Sequence, residues 1–531
     1  MSFVTNGGWL RSDSANGFRK CLAEEFTAVY VFDLRGNQRT QGEQSRKEGG
    51  KIFGSGSRAP VAITFLVKNP ESTEHCAIHY HDIGDYLTRE DKLSIVNSSV
   101  VAEPFEWDML HPDRHGDWLE QRDDSWYHFA PIGLNNKIGN PLNGLFECYS
   151  RGLETGRDSW IYGFDQNAVE SRMSSMIDYY NWCVQSNCSD EDKYNSEKIK
   201  WTASLEAKAD RQEKLDFHQA KTTKVLYRPF CKMFAYWDEQ VIHRPGIWRK
   251  CFPKGYSNVA FAVCDRGVMI TSIVPDLELL HHGQFFPMYW YEKPENVGRM
   301  IRHDAITDET LNLFRKVYPG GFGKRAQKDG GIEIQKEDIF YYIYGILHSE
   351  EYRSRYSANL KKELPRIPLA GNFKEFYHVG RALAKLHLNY EEAEPYPLIV
   401  VGNGENPGRV EKMRWGKKRN PNTGKMEADK SVLVYNNNLT FKGIPDIAHR
   451  YVVNGRSPLE WMIDRYQVKT DKASGIVNDP NLYSDDPLYI VNLIRRLVTV
   501  SVETMKIIDA MTPINEIDCY IDFPDAWKVQ D

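Results

Sequence analysis

The chain has no G-x-x-x-x-G-K-[ST] phosphate loop, so its residues do not encode an ATP-driven motor. It has no Pro-Pro dipeptide and no C-x-x-C pair. Its nine cysteines, an odd number, are scattered, which predicts reduced thiols and no disulfide framework. It lacks an apolar run of the roughly eighteen residues a membrane-spanning helix needs, and its start, MSFVTNGGWL, lacks the basic flank and apolar run of a signal peptide. A cytoplasmic protein without membrane contact is therefore expected. A positive excess is also missing: the formal net charge is -5, so any nucleic-acid footprint must be a local patch.

What is present is a long chain rich in rings. Its 531 residues favour two to four domains, and 12% aromatic content, with 13 Trp and 29 Tyr, suits large cores and base-stacking surfaces alike. Residues 2–6 and 28–34 are strand-like and flank a helical stretch at 15–26, an order that predicts a parallel α/β sheet. PVAITFLV (60–67) and CAIHYHDI (76–83) extend it, like the last part of a doubly wound sheet. Residues 166–185 are helical in type, and 195–221, strongly charged and without Pro, predicts a long solvated helix or helical hairpin. A mixed β region follows at 225–291. Helical spacing returns at 339–347, 350–360, 373–388, 458–466 and 488–511, interrupted by strands across 399–434.

Few motifs carry chemistry by themselves. His75, Cys76, His79, His81 and Asp82 are metal-ligand types, but on a strand His79 and His81 face away from Cys76, and a polar strand under a loop explains them better. No metal site is expected. Phe53-Gly54-Ser55-Gly56 has the wrong spacing for a cofactor loop and precedes a strand instead of following one. The segment 409–430 holds eight Lys or Arg against three acidic residues, with Trp415 among them and a turn at Asn420-Pro421-Asn422-Thr423-Gly424. Arg409, Lys412, Arg414, Lys417, Lys418 and Arg419 on such a hairpin either neutralise phosphates or form a solvated face.

Longer motifs point to a family. FVTNGGWL, GFRKCLAEEF and VYVFDLRGNQRTQGEQSRKEGGKIFGSGSRAPVAITFLVKN resemble the rear half of the gamma-type adenine-N6 DNA methyltransferase domain in single-polypeptide type I (type ISP) restriction-modification enzymes. FECYSRGLETGRDSWIY, YRPF, PDLELLHHGQFFPMYWYE, DIFYYIYGILHSEEY, LPRIPL, NGRSPLEWMIDRY and SGIVNDPN resemble their carboxy-terminal specificity domain. The resemblance implies an α/β partial Rossmann-like methyltransferase lobe at 1–105. A large α+β target-recognition region would follow, with a mixed part at 106–330 and a mainly helical carboxy-terminal part with the basic hairpin at 331–531.

It also implies phage-defence chemistry: transfer of a methyl group from S-adenosylmethionine to adenine in double-stranded DNA, beside nuclease and translocase parts. The family's glycine-rich cofactor motif and Asn-Pro-Pro-Tyr motif lie upstream of the matched stretch. No catalytic residue is assigned, and no cofactor is expected on this chain alone. The expected partners are DNA and the missing methyltransferase, translocase and nuclease portion, in cis or as a separate chain. The alternative is a non-catalytic DNA-binding or interaction protein derived by truncation.

Phe53 matches an aromatic that packs on the flipped adenine in similar enzymes, with plain core as its other reading. Arg35, Arg39, Arg46, Lys47, Lys51 and Arg58 surround the same polar loop and would suit phosphates. Arg151, Arg157 and Asp158 lie between strand-like runs, where arginine reads guanine edges or an Arg–Asp pair closes a turn. NGRSPLEWMIDRY is expected to pack, through Leu459, Met462, Ile463 and Tyr466.

Overall fold

The structure, a computed structural model, describes residues 1–40, 42–54, 56–73, 75–98, 106–134, 143–186, 188–294, 298–319, 333–405, 407–421, 424–515, 523–524 and 527. The chain forms two compact units, one of residues 1–128 with 353–365 and the other of 129–352 with 366–531. The sequence reading places its boundaries near 105 and 330 instead.

The first unit is built on strand β1 (Ser2–Asn6), helix α1 (Asn16–Glu25) and strands β2 (Ala28–Asp33), β3 (Val61–Val67), β4 (Ala77–Asp82) and β5 (Asp108–Leu110). They form one sheet in the order β1-β3-β2-β4-β5. The expected parallel sheet is corrected here: β2 and β4 are parallel, but β3 runs antiparallel between β1 and β2, and β5 runs antiparallel to β4. A nearly continuous apolar run reports burial on both faces and carries no information on strand direction. Val29, Val31, Leu66 and Ile78 pack on Leu22 and Phe26 across one face, while Phe32, Val61 and Ile83 pack with Ile52 across the other.

One charged cluster fastens this unit. Asp117 is fully buried and meets Arg19 at 2.8 Å, Arg122 at 3.0 Å and Lys362 at 2.7 Å. Arg19, buried on α1, also donates to the carbonyls of Trp9, Ser12 and Gly116, so each nitrogen of its guanidinium has a partner. Lys362 arrives from the returning segment 353–365 and donates to the Glu120 carbonyl as well.

The second unit carries a large core. Helix Gln166–Ser186 buries Val169, Met173, Met176, Ile177 and Tyr180, the stripe a 3.6-residue period predicts. Residues 195–221 do not continue it as a helix: Thr202 caps a short helix, Ala203–Asp210, whose one buried side chain is Leu205. Without an apolar stripe to bury, helical propensity there has nothing to hold it. Helices Lys336–Ile346 and Phe373–Leu388 cross where Gly345 and Gly380 face the other helix's backbone, since a Cβ at either position would overlap a carbonyl of its neighbour. Helix Pro458–Arg465 starts with Pro458 in its first turn and a reciprocal Ser457–Glu460 capping box, and it buries Leu459, Trp461 and Met462.

A four-stranded sheet carries the basic segment. Strands β6 (Ile399–Gly402), β7 (Arg414–Arg419), β8 (Met426–Val434) and β9 (Leu439–Lys442) lie in the order β6-β9-β8-β7, all antiparallel. Among the described residues no helix is long and apolar enough to cross a membrane.

Candidate nucleic-acid interface

The sheet of β6 to β9 is rooted in the core at one end and free at the other. Trp415 on β7 pairs with Leu433 on β8; the leucine is buried, and the tryptophan packs edge-on against His449 at 5.5 Å. Between Trp415 and Gly416 the register shifts, and Gly416, Lys417, Lys418 and Arg419 then face Asp429, Ala428, Glu427 and Met426. A Cβ on Gly416 would come within 2.8 Å of the Val432 side chain, so the bulge requires glycine. Among the described residues β9 pairs with Val432–Val434 of β8, which leaves Gly416–Arg419 and Met426–Asp429 as a two-stranded ribbon.

The cations of the basic segment are unequally engaged. Arg409 pairs with Asp479, Lys418 lies 3.9 Å from Glu427, and Lys430 lies 3.0 Å from Glu460. Lys412, Arg414 and Lys417 are exposed and have no ion pair among the described residues. Arg419 donates from Nε to the Gly424 carbonyl at 3.0 Å, which lays its guanidinium across the turn. Desolvating such exposed cations costs little, and a phosphate would not first have to break a buried pair to reach them.

The loop around Phe53 is more constrained. Arg35, at a positive φ of 54°, engages Asp82 and Asp85, and its side chain is only 19% exposed. Burial pushes the Asp82 carboxyl up, but the hydrogen bond from Arg35 and the Gly84 amide outweigh it and hold it below the ordinary range. Arg46 pairs with Glu43, Lys47 approaches Asp85 at 4.0 Å, and Arg58 donates to the Gln38 carbonyl at 2.7 Å. Buried Lys92 donates to the carbonyls of Glu48 and Gly50 and fixes the loop from beneath. Arg39 is exposed and Lys51 half-buried, neither with an ion pair among the described residues.

Phe53 is 50% exposed beside Gly54, whose surroundings are open, while its neighbour Ile52 is buried. The core reading of Phe53 is therefore overturned. His79, in the run considered for metal, stacks on Tyr30 at 4.2 Å, and His81 packs against Phe32 and Trp107; the described residues contain no group that could hold a metal ion.

Arg157 is the clearest correction. It is fully buried, reaches Thr202 Oγ1 at 2.7 Å from Nη2, and has Nε and Nη1 without hydrogen-bond partners among the described residues. Burial pulls its guanidinium down to about 10. It is neither placed to read a base edge nor paired with Asp158, whose carboxylate accepts from Thr155 and lies 3.6 Å from Arg228. Arg151 is exposed, with its carbonyl held by Trp248 Nε1 at 2.9 Å.

Sequence reasoning missed a cavity of about 490 Å³ next to Asp158, lined also by Tyr162, Asp276, Glu278, Asp464 and Arg465. At its floor Tyr162 donates to Asp276 at 2.7 Å, Arg228 pairs with the same carboxylate, and burial pushes Asp276 up to about 6 against the pull of Arg228. The PDLELL and DRY stretches were the available signal. A lining this rich in carboxylates repels phosphate, which leaves the ribbon as the better nucleic-acid surface.

Comparison with known proteins agrees with the resemblance. The family model of the Type ISP C-terminal specificity domain matches residues 144–493, and the chain belongs to that family. A nuclease-deletion mutant of the Type ISP restriction-modification enzyme LlaGI, in complex with a DNA substrate mimic, is 36% identical with a TM-score of 0.80, over 97% of this chain and 46% of that one. The ATP-dependent Type ISP restriction-modification enzyme LlaBIII bound to DNA is 33% identical with a TM-score of 0.80, over 97% of this chain and 33% of that one. A DrdV–DNA complex is 28% identical with a TM-score of 0.76, over 97% of this chain and 50% of that one. The chain thus spans a third to a half of the length of these structures. No curated protein matches it.

Proposed function

We propose that this chain reads the DNA target of a restriction-modification enzyme that methylates adenine at N6, with catalysis completed by polypeptide outside these residues. The observation that carries the reading is the exposed basic segment 409–430, whose Lys412, Arg414 and Lys417 have no ion pair among the described residues, on a fold shared with enzymes solved on DNA.

The amino-terminal sheet supports the second half of the proposal. Strand β1 pairs with β3 alone among the described residues and is exposed along all five residues. Phe3, Val4, Phe18, Phe65 and Val67 are exposed around it, and a cavity of about 330 Å³ is lined by Phe3, Trp9, Phe18 and Leu66. An unpaired strand edge flanked by apolar side chains suits extension by further strands and helices of a methyltransferase lobe. That cavity offers Thr5 and Thr64 as its polar side chains and no carboxylate for a ribose, so the residues present do not fit S-adenosylmethionine. We assign the cofactor to the rest of the enzyme. Calorimetry with the isolated chain should give no micromolar cofactor binding, whereas duplex binding should be measurable by anisotropy and weaken with salt. Tight cofactor binding, or no duplex binding at low salt, would overturn the respective half of the proposal.

Phe53 is proposed to stack on the extruded adenine in the completed enzyme. An exposed ring in a loop braced by Arg35 and Lys92 is available for that, and Phe53→Ala should remove roughly 1–3 kcal/mol of stacking. With the missing half supplied in trans or by fusion, 2-aminopurine emission at the target and methylation rate should both fall, while duplex affinity changes little. Unaltered emission and rate would make the ring incidental.

A further inference from the structure

Opposed residues of an antiparallel ribbon share a face and alternate residues change face, so the pairing beyond the bulge sorts its side chains into two sets. Lys417, Arg419, Ala428 and Met426 lie on one face; Lys418, Glu427 and Asp429 lie on the other. The second face is neutralised within itself. Lys418 faces Glu427, Asn420 donates to Glu427 at 2.8 Å, and Asp429 accepts from Ser431 Oγ at 2.7 Å and from its amide. The first face has two cations and no carboxylate, with Met426 61% exposed.

From this asymmetry we infer that the face of Lys417, Arg419, Ala428 and Met426 enters the major groove, with Arg419 as its guanine-reading residue and Lys417 on a phosphate at the groove's rim. The inference rests on the DNA-reading function proposed above and adds the groove, the face and the residue. A two-stranded ribbon is one of the two elements the major groove admits, and four paired positions at about 3.4 Å each span roughly three base steps. Arg419 suits guanine O6 and N7 because its Nε is fixed on the Gly424 carbonyl, which orients the plane and leaves both Nη groups for a bidentate contact. Met426 and Ala428 beside it present apolar surface to a thymine methyl, where a carboxylate would be repelled. The opposite face, with Glu427 and Asp429, is turned from the DNA.

The test is selection of duplexes from a randomised pool by the full chain, followed by affinity measurements on the selected site. Wild type should select a site containing a guanine whose replacement by 7-deazaguanine, which lacks the N7 acceptor, weakens binding about tenfold or more. Arg419→Ala and Arg419→Lys should both lose discrimination at that guanine and become indifferent to 7-deazaguanine, the lysine variant despite its retained charge. Lys418→Ala should keep the selected sequence. If Arg419→Ala selects the same site with the same discrimination and only its salt dependence falls, Arg419 is a phosphate contact and the inference fails while the DNA-reading function stands. If no 7-deazaguanine position weakens wild-type binding, the major-groove assignment fails in the same way. If the wild-type chain binds no duplex, both fall.

Discussion

Asp117→Asn is expected to destabilise the amino-terminal unit by about 3–5 kcal/mol, because it leaves the cations of Arg19, Arg122 and Lys362 facing a neutral amide at a fully buried position. Burial pushes the Asp117 carboxyl up, yet Lys362 and then Arg122 outweigh that penalty and hold it below its ordinary value of 3.8. A depressed carboxylate contributes stability that is complete above the unfolded value and is lost as pH falls through the folded one. Wild-type stability should therefore drop below about pH 4, and the variant should show a shallower drop there. Urea titrations of the full chain across that range check both points. A loss below about 1 kcal/mol would mean that the cluster contributes no more than an exposed pair.

Replacing Lys412, Arg414 and Lys417 together by alanine should flatten the plot of log affinity against log salt by about 2.7 units if each meets one phosphate, and lower affinity at low salt by two to three orders of magnitude, roughly. These residues are exposed and outside any ion pair among the described residues, so the fold should be untouched. Replacing Arg35 should behave differently. Its guanidinium ties the loop to Asp82 and Asp85, so its loss should loosen the loop with little change in the salt slope. An unchanged slope in the triple variant would return the basic segment to an ordinary solvated face.

What the sequence made legible was local. Helix Phe373–Leu388 and the strands at 28–33 and 61–67 follow from periodicity, and the basic hairpin follows from charge density around a turn. What it hid depends on partners far along the chain. Arg157 looked like a surface reader because the Thr202 that receives it lies 45 residues away. The buried Asp117 needs Lys362, from a segment that returns to the first unit after the chain has built part of the second. Strand direction was equally hidden, since an apolar run such as PVAITFLV is compatible with β3 running either way. The charged stretch 195–221 failed for a different reason: propensity suggested a helix, but its buried residues Ile199, Leu205 and Leu215 are not spaced as one helical stripe.

The register shift at Gly416 has a consequence for the target preference proposed above. On the core side of the shift, Trp415 and Leu433 belong to the packing of the unit, where substitutions are constrained by volume. Beyond it, Lys417, Lys418, Arg419, Met426, Glu427 and Ala428 are all exposed and support nothing beneath them. Exchanges at exposed positions of this kind usually move stability by no more than about half a kcal/mol. On the proposed reading, the ribbon can therefore accept new side chains, and with them new sequence preferences, without a compensating repair in the frame that carries it.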